Sequence, residues 1–235
     1  MPTFVLIPGA GGTPWSWHLV AAELERRGHH DIVAVDLPND DDSAGLAEYV
    51  EAVVAAIGGR RTGLVVVAHS LGGFTATLLC DRVPVDHLLL VTAMIPAPGE
   101  APGEWWTNTH FMPARNAEIA RLGGDDSEET TFTHDLTPAL AVEAGEHIRS
   151  QSGTPMEKPF PLDALPAVPT DFLVCTEDRF FPPEFMRRVV RERLGITDPA
   201  ELAAGHLPMF SRPVELVDWI ERCIGAAPNP GAGPG

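Results

Sequence analysis

Apolar residues recur along this chain in two alternating rhythms. Short β-branched and aliphatic runs, bounded by glycine, proline or aspartate, alternate with longer stretches in which apolar positions return every three or four residues. The short runs predict strands at 4–7, 32–36, 64–68, 87–92 and 170–176, with a short sixth at 201–203. The longer stretches predict helices at 17–27, 43–57, 71–82, 183–194 and 213–224. An unbroken apolar run such as Val65, Val66 and Val67 suits a strand covered on both faces. Strands that alternate with helices call for parallel pairing through right-handed crossovers. The expected fold class is therefore α/β: a mostly parallel sheet of about six strands with helices on both faces.

The rhythm breaks at "IPAPGEAPGEWW", where prolines and glycines open a long stretch of mixed helix and loop before the sheet resumes. Residues 1–96 and 166–227 are read as the core and 97–165 as an inserted cap. The final residues, 228–235, are expected to be a disordered tail, because they offer nothing to pack. A length of 235 residues fits one large domain. Charge narrows the partners: 33 acidic against 16 basic residues give a formal charge of −17, which repels nucleic acid and anionic membrane surfaces. Neither is expected as a partner, and a homodimer is left open. Three isolated cysteines, Cys80, Cys175 and Cys223, read as buried thiols of a reducing compartment. The N-terminus is expected to enter a strand at once, and neither a signal peptide nor a spanning helix is apparent in it, so a cytoplasmic location is expected.

Chemistry enters at "VVVAHSLGGF". Ser70 follows a strand and precedes a helix, with the small residues Ala68 and Gly72 two positions to either side. That spacing is the nucleophile elbow, in which a tight strand-to-helix turn lifts a hydroxyl above the sheet. The commoner residue at the place of Ala68 is glycine. The competing reading, an ordinary helix-capping serine, explains less of the pattern. A serine hydroxyl needs a base, and the base needs an acid to hold its tautomer. Asp178 in "FLVCTEDRFFP" and His206 in "AAGHLPMF" supply both after the cap, in the order Ser, Asp, His, with Glu177 the nearest substitute for the acid. His69 is expected to point away from the site. The loop "PGAGGT" after the first strand is small enough for backbone N–H groups to approach a substrate, so the amides of Ala10 and Leu71 are expected to form an oxyanion hole.

Two other chemistries fit less well. Gly9, Gly11 and Asp36 mimic a dinucleotide fingerprint, but Pro14 stands at the third glycine and Tyr49 has no lysine four residues on. Histidine spacing gives no zinc motif, so no metal is expected. Trp105, Trp106, Phe111 and Met112 form an apolar cluster that either lines a substrate pocket or packs the cap onto the body. The runs "NDDDS" and "GGDDSEE" read as solvated loops.

Taken in order, "FVLIPGAGGTPWSWHLVAAELERRGH", "AVDLP", "AHSLGG", "TEDRFFPPEF" and "GHLPMFSRP" resemble the hydroxynitrile lyase and methylesterase branch of the α/β-hydrolases over nearly the full chain. The resemblance implies an α/β-hydrolase fold, Ser70, Asp178 and His206 as a triad, the Ala10 and Leu71 amides as oxyanion hole, a compact cap and no cofactor. In that branch the lyases resemble one another in a threonine at the place of Gly9 and a lysine at the place of Leu207. Both marks are missing here, so the chain resembles the esterases. The expected activity is hydrolysis of a carboxylic ester of a small to medium, largely apolar molecule. Lyase or cofactor-free oxygenase chemistry with the same triad, and a non-catalytic receptor that kept the pocket, are the alternatives.

Overall fold

The structure, a computed structural model, describes residues 2–225. The tail expected at 228–235, and the last two residues assigned to the core, lie outside them. Six strands form one sheet: β1 (Thr3–Ile7), β2 (Ile32–Ala34), β3 (Leu64–His69), β4 (His87–Val91), β5 (Thr170–Cys175) and β6 (Ala200–Leu202). Their order is β2-β1-β3-β4-β5-β6, and every neighbouring pair is parallel. Side chains alternate between two apolar layers. Val5, Ile7, Val66, Ala68, Leu88 and Leu90 face one layer, and Phe4, Leu6, Val65, Val67, Leu89 and Val91 face the other. The first layer is closed by α2 (Leu46–Ile57), α3 (Gly72–Leu79) and α7 (Pro183–Leu194). The second is closed by α1 (His18–Arg26) and α9 (Pro213–Gly225). Every residue of β1 and β3 is buried, and each Val, Leu, Ile or Phe side chain among them contributes roughly 1.5–3 kcal/mol of burial.

Helix starts differ from the sequence expectation for local reasons. Before α1 the chain makes a 3₁₀ turn over Pro14–Trp17, held by the Thr13 N–H donating to Ser16 Oγ at 3.3 Å. α2 starts at Leu46 rather than 43, because Asp41 caps the N–H of Ser43 at 2.8 Å and Glu48 accepts from the N–H of Gly45 at 2.9 Å. Cys175 is buried, whereas Cys80 and Cys223 are only half-buried. Burial still pushes both of these thiols up to about 12.

Between β4 and β5, which are hydrogen-bonded neighbours, the chain carries α4 (Trp105–Asn108), α5 (Phe111–Arg121), a π-helical turn (Glu129–Thr133) and α6 (Pro138–His147). A last short helix, α8 (Pro208–Ser211), precedes α9. The acidic runs are not simply solvated. Asn39 is fully buried and donates to the Gly12 carbonyl at 2.6 Å, Asp42 accepts from Ser152 Oγ at 2.9 Å, and Asp126 pairs with the buried Arg115. No helix among the described residues is long and apolar enough to cross a membrane.

Candidate active site

The site forms where the central strand β3 gives way to α3. Ser70 has φ of 50°, in the left-handed region that a serine rarely occupies. Sheet and helix over-determine the turn: the Ser70 carbonyl accepts the Met94 N–H at 2.9 Å and the Gly73 N–H at 3.1 Å. Gly72 is required by close approach, since a Cβ there would meet the Pro8 carbonyl oxygen at 2.5 Å. Ala68, at the commoner glycine place, buries its methyl in the first layer without a clash to relieve.

The three residues singled out in sequence meet here. His206 Nε2 lies 3.2 Å from Ser70 Oγ, and its Nδ1 lies 2.8 Å from Asp178 Oδ2; all three residues are buried. Asp178 is fully satisfied as an acceptor. Its Oδ1 takes the N–H groups of Phe180 and Phe181 at 2.9 and 2.8 Å, and its Oδ2 takes the Thr92 hydroxyl at 2.7 Å besides the imidazole. Glu177 is exposed and makes no such contact, which separates the two adjacent carboxylates. The His206 ring is enclosed by Phe132, Phe180 and Phe181, with centroids 5.1–5.6 Å away. Its loop is tied down by the Gly205 N–H donating to Asp135 Oδ2 at 2.7 Å.

His69 does not point away, contrary to expectation. It is buried, and its Nε2 lies 2.8 Å from the His206 carbonyl oxygen. A carbonyl only accepts, so this nitrogen carries the proton. Burial, and secondarily the nearby His206, hold the His69 imidazole well below its usual range and therefore neutral. The contact comes from the loop that carries His206, 137 residues further along the chain, and so has no local sequence signal.

Ala10 is exposed at the cavity and Leu71 lies beside the serine; among the described residues neither backbone N–H donates to a protein acceptor. Both are therefore free to donate to a substrate oxygen. The 8–13 loop that carries Ala10 is clamped by the segment between β4 and β5. The Arg149 N–H donates to the Gly11 carbonyl at 2.8 Å, the Gly11 N–H donates to Gln151 Oε1 at 3.1 Å, and Thr13 Oγ1 donates to the His147 carbonyl at 3.2 Å. Gln151 is itself fixed by donating to Tyr49 Oη at 2.9 Å. Gly11, part of the glycine pattern that mimics a dinucleotide site, is thus tied through Gln151 to Tyr49, and Asp36 of the same pattern pairs with Arg149.

A cavity of about 780 Å³ opens over Ser70. Gly9, Trp106 and Leu207 line it. Trp105, Phe111 and Met112 do not. Trp105 is fully buried against Phe181 and Phe185 and donates from its indole to the Ile95 carbonyl at 3.0 Å; Phe111 packs into the same cluster; Met112 is half exposed on the far side of α5. Trp105 and Phe111 pack the segment between β4 and β5 onto the body, and Met112 does neither. Sequence reasoning missed Thr92, His69, Phe132, Phe180 and Gln151. Only Phe180 carried a signal, its place two residues after Asp178. Among the described residues no group of three or more His, Cys, Asp or Glu side chains is arranged to hold a metal ion.

A buried, hydrogen-bonded Ser–His–Asp trio at a tight strand-to-helix turn, above the carboxyl ends of a parallel sheet, has the geometry of a hydrolase-type site. The alpha/beta hydrolase family matches residues 4–219, and the chain belongs to it. Its curated relatives support the methylesterase-like branch. Methylesterase 7 of Arabidopsis thaliana is 28% identical over 250 residues, covering 91% of this chain and 92% of that protein. The solved polyneuridine aldehyde esterase superposes with a TM-score of 0.79 at 21% identity, covering 96% of this chain and all of the other (100%). The pyrethroid hydrolase PytH gives a TM-score of 0.74 at 24% identity, covering 96% and 98%. These two likenesses concern the fold.

Proposed function

We propose that this chain is a carboxylic ester hydrolase acting through an acyl-enzyme, with residues 97–165 as the cap over its site. The observation that carries the reading is His206 bridging Ser70 Oγ and Asp178 at 3.2 and 2.8 Å beneath an apolar cavity. His206 Nε2 takes the hydroxyl proton as Ser70 attacks the ester carbonyl, and Asp178 stabilises the imidazolium while fixing its tautomer. The Ala10 and Leu71 amides receive the charge that develops on the carbonyl oxygen. His206 then returns its proton to the leaving alkoxide, and a water activated by the same imidazole releases the acid. Methylesterases among its relatives favour the same reaction class.

A cyanohydrin lyase would need a cation beside the leaving cyanide. Leu207 follows the histidine here, and no lysine or arginine stands among the described residues that line the cavity. The test is active-site labelling by a fluorophosphonate with p-nitrophenyl acetate turnover in parallel. Wild type is expected to label and turn over. Ser70→Ala is expected to lose the label and ~10⁴–10⁶-fold in turnover, since the triad acts as a unit. A Ser70→Ala variant with a tenth of wild-type turnover refutes the assignment.

A further inference from the structure

We infer that the natural ester carries a bulky apolar group on each side of its scissile carbonyl, and no carboxylate. The inference rests on the hydrolase reading and deepens it.

The argument starts from the two faces of the sheet. Ser70 stands at the end of the central strand β3, so the cavity above it is walled by residues from both apolar layers. Leu71, Met94, Trp106, Met156 and Phe180 come from the first layer. Trp17, Leu136, Ala144, Met209 and Phe210 come from the second. The nucleophile therefore lies between two apolar walls rather than at the bottom of one. A volume of about 780 Å³ falls in the upper part of the roughly 300–1,000 Å³ common for small-molecule sites. A methyl ester would fill one wall's share and leave the other in contact with water.

Helix α6 makes the room on the second side. It presents Pro138, Ala141, Val142 and Gly145, at helical spacing, to the cavity, and none of its residues is buried. Val142 is 65% exposed and Ile148, just past the helix, is 56% exposed. Large aliphatic side chains bared at a cavity mouth gain from an apolar occupant that covers them. Charge completes the description. Glu128 and Glu129 stand at the same mouth, no lysine or arginine stands among the described residues of the lining, and burial lowers the pKa of the lining His134 and favours its neutral form, so a carboxylate on either group of the ester would meet repulsion and no fixed cation.

The test uses the full chain and four alkyl esters of similar intrinsic reactivity: methyl acetate, methyl phenylacetate, benzyl acetate and benzyl phenylacetate. Benzyl phenylacetate is expected to exceed each singly bulky ester by about tenfold or more in kcat/KM, since one methylene in a fitted apolar pocket already discriminates by roughly 10–200-fold. Ala141→Phe, which fills the α6 side, should cut kcat/KM at least ~10-fold for benzyl phenylacetate and for one singly bulky ester. It should shift the ratio between the two singly bulky esters by a similar factor. No turnover on any of the four, with no fluorophosphonate label, refutes the hydrolase reading and this inference with it. Turnover on methyl phenylacetate or benzyl acetate that equals or exceeds that on benzyl phenylacetate overturns this inference alone, as does an Ala141→Phe variant whose ester preferences are unchanged.

Discussion

Thr92 offers the sharpest probe of how the site is held. It lies one residue beyond β4, fully buried, with φ of 36°, and its hydroxyl donates to Asp178 Oδ2 at 2.7 Å. A β-branched residue in the left-handed region is strained, and the contact with a buried carboxylate is what rewards that strain. Thr92→Val keeps shape, branching and backbone cost and removes only the O–H. A hydrogen bond to a charged group is worth about 1.5–3 kcal/mol, and the oxygen left behind is shared with His206 Nδ1. At 1.36 kcal/mol per decade, that corresponds to a loss of about 10- to 150-fold in kcat/KM if the whole effect reaches the imidazole. The assay is p-nitrophenyl acetate kinetics paired with urea unfolding. Turnover should fall within that range and unfolding free energy by about 1–3 kcal/mol, while Thr92→Ser, which keeps the hydroxyl, should stay within about threefold of wild type. A Thr92→Val protein with native kinetics and native stability would show that Asp178 is held by the Phe180 and Phe181 amides alone.

Three further outcomes follow from the geometry. Asp178→Asn should lower turnover by about 10⁴ by favouring the wrong tautomer of His206, whereas Glu177→Gln, at an exposed position, should change it little; kinetics that ranked them the other way would move the acid to Glu177. Gly9→Ala should cost ~10²-fold in kcat, because the new Cβ would stand 2.9 Å from both Ser70 Cβ and His69 Nδ1 and displace the nucleophile; unchanged single-turnover rates would contradict this. His69, held neutral when folded, has a folded pKa below the 6.5 of the unfolded chain, so the unfolded state binds the extra proton and stability falls as pH drops through that value. Urea titrations from about pH 5 to about pH 8 should show the slope in wild type and a shallower one in His69→Gln; identical slopes would mean that other groups carry it.

The elements and the principal trio of this site were legible in the chain because each has a local cause. Val65, Val66 and Val67 can be little but a strand buried on both faces, Gly72 is demanded by the turn that presents Ser70, and Asp178 and His206 each follow a strand end at the carboxyl edge of the sheet. What tertiary structure decided is whatever depends on which loops meet. Glu177 and Asp178 are neighbours with the same chemistry, and what distinguishes them is burial and the partners that the fold brings to Asp178: Thr92, the Phe180 and Phe181 amides and His206. Trp105, Trp106 and Phe111 lie close together in sequence, yet Trp106 lines the cavity while the other two are buried away from it, a choice that apolarity alone does not make. His69 was misjudged for the same reason: its surroundings are set by a loop 137 residues away. Local sequence carries periodicity and turn chemistry, but long-range packing chooses among side chains that those two leave equivalent.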